Sequence, residues 1–135
     1  MPHAKFPVEV YTPEGSVFSG EVEMVSTRTT LGQIGILARH APLLASLEPT
    51  ELRLYLSDTE IVRLAQSEGY LQVANNRALL LVEEAHPLED LDAEELRERL
   101  RVALAELEQA GEDSERHRVA ERDRRRWERF LSLVE

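Results

Sequence analysis

Apolar and polar residues alternate every second position through the first two-thirds of the chain. Leu52, Leu54 and Leu56 are separated by Arg53 and Tyr55, Ser57-Asp58 reads as a turn, and Ile61 to Ala65 resumes the pattern. A period of two is that of a half-buried antiparallel strand pair. Tyr70 to Val73 and Ala78 to Val82 flank Asn75-Asn76, and asparagine tolerates the positive φ angles that a tight hairpin turn demands. Pro13-Glu14-Gly15, Gly20, Gly32 and Gly35 break the earlier stretch at short intervals. Short strands so spaced, from Phe6 to Glu84, predict a sandwich or a barrel.

Past Pro87 the period becomes helical. Asp92 is placed to cap a first turn with Glu95 three residues on, and Leu96, Leu100, Ala103, Leu107 and Ala110 follow on one stripe. Gly111 ends that helix. Asp113 or Ser114 caps a second one running to about Val134, and the short link makes the pair an antiparallel hairpin. The division falls between residues 1–87, a β domain, and residues 88–135, a helical hairpin. Packing in the hairpin is expected to be uneven: Trp127, Phe130, Leu131 and Val134 form a compact apolar face, whereas Ser114 to Arg126 offers only Val119 and Ala120. A half-helix that buries so little detaches at low cost.

Charge changes this picture in one respect. The net charge of −10 disfavours nucleic acid over most of the surface, yet ten of the sixteen basic residues follow Leu91, and all ten are arginine. Arg116, Arg118, Arg122, Arg124, Arg125, Arg126 and Arg129 crowd the second helix. Their plain reading is a solvated face with modest i,i+4 support from Glu121 to Arg125. Like charges one turn apart, Arg122 with Arg126 and Arg125 with Arg129, destabilise a helix slightly unless an acidic partner meets them. Without cysteines there are no disulfides or thiolate sites. No apolar stretch approaches the roughly 20 residues of a membrane span, and the N-terminus lacks signal or transit character, so a cytosolic chain is expected.

Catalytic chemistry is not visible. His3, His40, His86 and His117 are not spaced to share a metal, and no phosphate-cradling loop or nucleophile elbow occurs. Glu83-Glu84 reads as a solvated strand end, and His40 as a hydrogen-bonding residue of a loop. No cofactor and no metal are expected.

The run from Gly32 to Leu44, GQIGILARHAPLL, resembles the G-x-x-G-I-L-x-x-H-A-P-L segment of F-type ATP synthase epsilon subunits, the equivalent of the mitochondrial delta subunit. Thr12-Pro13-Glu14-Gly15, Phe18 and Gly20 upstream, and Gly69-Tyr70-Leu71-Gln72-Val73-Ala74-Asn75-Asn76-Arg77 downstream, match the same family in order and spacing. The resemblance implies an antiparallel sandwich of about ten strands followed by a two-helix hairpin. It also implies a non-catalytic rotor subunit of a proton-translocating synthase, peripheral on the cytoplasmic face of the cell membrane.

Its implied partners are the gamma subunit, the c-ring and, when the hairpin extends, the catalytic beta and alpha subunits. The segment carrying Gly32, Gln33, Gly35, Arg39, His40 and Pro42 is then expected to be a turned loop facing the c-ring, with Gln33 where some members carry an acid. Ser26 to Leu31 lacks the proline and glycine often seen before it, so a different turn is expected there. Arg122, Arg125, Arg126 and Arg129 become the inhibitory contacts. An Ile/Leu-Asp-x-x-Arg-Ala nucleotide motif of some bacterial members begins with Leu91-Asp92 but continues with Glu95 and Leu96 in place of arginine and alanine, so no ATP binding is expected. A competing reading is a stand-alone β-sandwich binding module whose helices dimerise; a small hydrolase is disfavoured by the missing catalytic groups.

Overall fold

The computed structural model describes residues 3–135, which form two compact units meeting at Pro87 and Leu88. The first contains ten strands: β1 Phe6–Thr12, β2 Gly15–Val22, β3 Met24–Thr29, β4 Gly32–Ile36, β5 Leu43–Leu47, β6 Thr50–Tyr55, β7 Ile61–Gln66, β8 Gly69–Ala74, β9 Arg77–Val82 and β10 Ala85–Pro87. They follow the order β10-β7-β6-β3-β5-β8-β9-β1-β2, with β4 added to β3 alone. Every pairing is antiparallel except β1 with β9, which runs parallel from Val8↔Ala78 to Tyr11↔Leu81. The expected antiparallel sandwich is thus a mixed one. Local alternation could not show the exception, because it reports a strand's buried face and not its neighbour.

The alternation that predicts the strands also builds the core. Leu52 and Leu54 are fully buried while Arg53 between them is exposed, and Phe6, Val8 and Val10 are buried in the same way along β1. Val22, Val25, Ile36, Leu71 and Leu80 join them from other strands. Each aliphatic side chain taken from water in this way contributes about 1.5–3 kcal/mol. Asn75 and Asn76 both adopt left-handed φ, 51° and 58°, as a two-residue hairpin between β8 and β9 needs.

One buried polar cluster crosses this core. Gln66, wholly buried at the end of β7, accepts from Thr27 Oγ1 at 2.6 Å and donates through Nε2 to the Glu48 and Ser67 carbonyls at 3.0 and 3.1 Å. Three segments distant in sequence are tied by one amide.

The second unit opens with a 3-10 turn, Leu88–Asp90, then α1 Ala93–Gln109 and α2 Glu115–Ser132. Asp92 caps α1, its Oδ1 accepting from Glu94 N and Glu95 N at 2.9 and 3.4 Å. Glu95 ion-pairs instead with Arg99 at 2.6 Å. Ser114 caps α2 by accepting from His117 N at 3.1 Å. Arg116 to Glu106 bridges the two helices at 2.6 Å, and Arg97 of α1 pairs at 2.9 Å with Glu135, beyond the end of α2. Those pairs are exposed, so each is worth little on its own.

Candidate docking surfaces

The segment expected to be one turned loop is not one. Gly32, Gln33 and Gly35 lie on β4, in register with Thr29, Arg28 and Ser26 of β3. Arg39, His40 and Pro42 belong to the link between β4 and β5. Gly32 and Gln33 begin β4 and the Arg39 to Pro42 link follows its end, so a five-residue strand, about 15 Å, lies between the Gly32 turn and that link. Two glycines three positions apart suggest a turn, but of the two only Gly32 has a positive φ, 123°. Gly35 is extended in the strand, and a Cβ there would meet nothing nearer than Met24 Sδ at 3.8 Å.

The turn before β4 is a tight one at Thr30-Leu31, held by the Thr29 hydroxyl, which accepts from Leu31 N and donates to the Gly32 carbonyl, both at 3.1 Å. Leu31 at its tip is 98% exposed. At the other end, His40 Nδ1 donates to the Ala41 carbonyl at 2.7 Å, which is the loop-structuring role expected of it.

The outward face of β5, β8, β9 and β1 was not anticipated. Cross-strand pairing aligns Ser46, Tyr70, Leu81, Tyr11 and Ser16 in one row, and Leu44, Gln72, Leu79 and Glu9 in the next. Leu44, Tyr70 and Leu81 are 75%, 60% and 47% exposed. In this 31% charged chain, the one ionisable carboxylate in these two rows is Glu9, which accepts from Tyr11 Oη at 2.6 Å; that bond pushes the Tyr11 phenol pKa up. A partly aromatic patch on the solvent side of a sheet, carrying one carboxylate in these rows, marks a contact surface. Each strand's own pattern hinted at it, since Leu79 to Leu81 and Tyr70 interrupt the polar alternation. Only the register brings them together.

In the hairpin, an open groove of about 580 Å³ runs between the helices, lined by Val102, Ala103, Val119, Ala120 and Trp127 among others. It is where α2 was expected to pack poorly. Trp127 meets Phe130 edge-on at 5.9 Å between centroids, and the Arg99 and Arg126 guanidinium carbons lie 4.9 and 5.3 Å from its ring. The four arginines expected to form one exposed set divide. Arg122 and Arg125 are exposed and Arg129 is half-buried, but Arg126 is only 5% exposed. A seven-residue cluster read for charge alone hides that one member shares the face of Trp127 and Phe130, where its methylene stem can be buried.

Other arginines are used within the helices. Arg124 pairs with Glu121 and Glu128 and holds the Glu121 carboxyl below the ordinary glutamate range, as Arg101 does for Glu98 and Arg116 for Glu106. At the degenerate nucleotide motif, the Asp92 carboxylate is engaged in capping, Glu95 in its pair with Arg99, and Leu96 is buried. Leu91 N donates to the Leu88 carbonyl at 3.1 Å. Among the described residues no three acids or histidines gather as metal ligands, and no helix is long and apolar enough to cross a membrane.

A small β-sandwich with a partly aromatic outer face, joined to an ion-paired helical hairpin, is the build of an accessory subunit that docks into a larger assembly. Comparison with known proteins names the assembly. The family model for the beta-sandwich domain of the ATP synthase delta/epsilon chain matches residues 5–88. The ATP synthase epsilon chain of Persephonella marina is 39% identical over 104 residues, 77% of this chain and 76% of that one. That of Sulfurihydrogenibium sp. is 33% identical over 127 residues, 94% and 95% of the two chains. A solved chain from the OSCP/F1/c-ring of Euglena gracilis mitochondrial ATP synthase shares the fold, with a TM-score of 0.81 at 22% identity over 98% of this chain and 82% of its own. The chain belongs to the ATP synthase epsilon family.

Proposed function

We propose that this epsilon subunit links the c-ring to the gamma subunit through its sandwich and restrains ATP hydrolysis through its hairpin. The observation that carries the first part is the partly aromatic face around Tyr70 and Leu81, assigned here to gamma. Burying such a patch stabilises association by roughly 25 cal/mol per Å² before the costs of ordering. The exposed Thr30-Leu31 turn with Gly32 and Gln33 is assigned to the c-ring. The Arg39 to Pro42 link, at the far end of β4, is not.

For the hairpin, Arg122 and Arg125 are the exposed members of the set that an acidic segment of the catalytic subunits would meet first, Arg122 exchanging its pair with Asp123, since guanidinium groups grip carboxylates with two parallel hydrogen bonds. Arg126 and Arg129 join them only after the hairpin opens. The poorly filled groove between the helices supports a hairpin that opens at modest cost.

One set of reconstitutions with the epsilon-depleted synthase tests both parts. Leu81→Asp and Tyr70→Asp, which add charge without touching the core, are expected to weaken gamma binding at least about a hundredfold, by analogy with charges placed at the centre of an interface. A chain stopped after Asp90 is expected to stay folded, bind gamma and release hydrolysis. Replacing Arg122, Arg125, Arg126 and Arg129 by alanine should release it without disturbing binding. Wild-type affinity in the aspartate variants would remove the face, and unchanged hydrolysis in both hairpin variants would remove the brake.

Nucleotide binding is proposed to be absent. An anion at Glu95 in place of a phosphate-pairing arginine removes an attraction and adds a repulsion. Calorimetric titration of the full chain should show no heat of ATP binding below millimolar concentration; a submillimolar dissociation constant overturns this.

A further inference from the structure

Among the described residues, the non-glycine positions with left-handed φ are Arg39, Asn75 and Asn76, and they occupy one place. Arg39, at φ 64°, donates its backbone N–H to Asn76 Oδ1 at 2.7 Å, so the link from β4 to β5 is clasped to the β8–β9 turn. Asparagine adopts this conformation readily. Arginine does not, and its Cβ crowds the backbone at a position where glycine would sit without cost. A long charged side chain kept in a strained conformation needs a reason outside folding.

Its surroundings supply one. The next residue after the asparagine turn is Arg77, which is exposed and lies on the same outward side of β9 as Leu79 and Leu81. Arg77 therefore stands at the edge of that face, and the clasp holds the Arg39 backbone against the side chain of Asn76, the residue before Arg77. Most arginines of this chain are spent on internal ion pairs; among the described residues these two form none. Glu9, which lines the same shallow depression as Arg77, is engaged by Tyr11 Oη. An apolar centre bordered by unpaired guanidinium groups has the anatomy of an interface with a charged rim.

We infer that Arg39 and Arg77 form a two-arginine clamp for a carboxylate of the protein that covers the Tyr70-Leu81 face, and that the strain at Arg39 is kept for this contact. The inference rests on the docking role proposed above and adds to it the chemistry of the partner: an acidic side chain at the edge of its apolar contact. A carboxylate is favoured over a lipid phosphate because the rim adjoins a face of Leu and Tyr on a sheet, which a flat membrane surface would not cover.

The test separates strain from contact. Arg39→Gly removes both the guanidinium and the strain, Arg39→Ala removes the guanidinium alone, and Arg39→Lys keeps the charge. Thermal unfolding of Arg39→Gly should occur at or above the wild-type midpoint, by up to about 5 °C, and above that of Arg39→Ala. Binding to the epsilon-depleted synthase at low salt should weaken about three- to tenfold in both Gly and Ala variants and in Arg77→Ala, and less in Arg39→Lys. The differences should shrink at high salt. A glycine variant melting below Arg39→Ala would refute the strain, and unchanged affinity in Arg39→Gly and Arg77→Ala would refute the clamp.

If wild-type chain itself fails to bind the synthase, the docking role fails and this inference with it. If wild type binds and the variants bind equally, only the inference fails. Vesicles containing anionic phospholipid should not retain the chain; retention that Arg39→Gly abolishes would assign the arginines to membrane and overturn the carboxylate.

Discussion

Gly69→Ala is expected to lower the stability of the sandwich by about 3 kcal/mol or more, a large part of what a small domain possesses. Gly69 opens β8 opposite Val82, and a Cβ there would lie 2.1 Å from the Leu81 carbonyl oxygen and 2.7 Å from Val82 Cα. Both are backbone atoms, so no side chain can swing aside. The strands must part or shift register, and a shift of one residue would turn Leu71 and Leu80 from core to solvent. Gly111→Ala, with open space around the added carbon, and Gly35→Ala, with Met24 Sδ at 3.8 Å, are the controls and should change stability by less than about 1 kcal/mol. Urea unfolding of the three variants decides the matter: a Gly69→Ala midpoint within error of the controls would show that the backbone yields there freely.

Gln66→Leu should cost about 2–4 kcal/mol although it adds apolar surface to a core position. The substitution strips the Thr27 hydroxyl of its acceptor, and the buried Ser67 carbonyl and the part-buried Glu48 carbonyl of a donor, and each buried polar group left unpaired costs about 1–3 kcal/mol. The pair behaves differently. With Thr27→Val added, the hydroxyl is gone as well, and the double variant is expected to recover part of the loss. Losses that simply add in a double-mutant cycle would mean that the Thr27 to Gln66 bond contributes nothing and that the amide matters only through the carbonyls.

What could be read from the sequence was whatever a short window contains. The Asn75-Asn76 turn, the caps Asp92 and Ser114, the stripe through Leu96 and Ala103, and the alternation at Leu52 and Leu54 all depend on neighbours within a few residues, and all appear in the structure. Features that depend on distant partners were not legible. Gly69 looks like one more turn glycine until Leu81 is known to lie against it. Gln66 reads as the polar end of a strand until Thr27 is placed beside it.

The docking face shows the same limit. Tyr11, Tyr70 and Leu81 stand in three separate strands, and only the cross-strand register makes them a surface. Arg126 is the converse case: charge marked it as exposed, and the helical face it shares with Trp127 buried it. Gly32 and Gly35 were read together because they are close in sequence, whereas the strand between them is what their spacing built.

The parallel pairing of β1 with β9 also governs when the chain can fold. Val8 has no neighbour on that side until Ala78 has been made, so closure of the sandwich is a contact of high sequence separation and carries a large loop-closure entropy. During synthesis the β1–β2 ribbon emerges early and must wait with an unpaired edge, a template for association with other chains. The hairpin, emerging last, needs only local contacts and should form within microseconds of release. A chain stalled before β9 is therefore the aggregation-prone species, and the sandwich is complete once β9 and then β10 have been made.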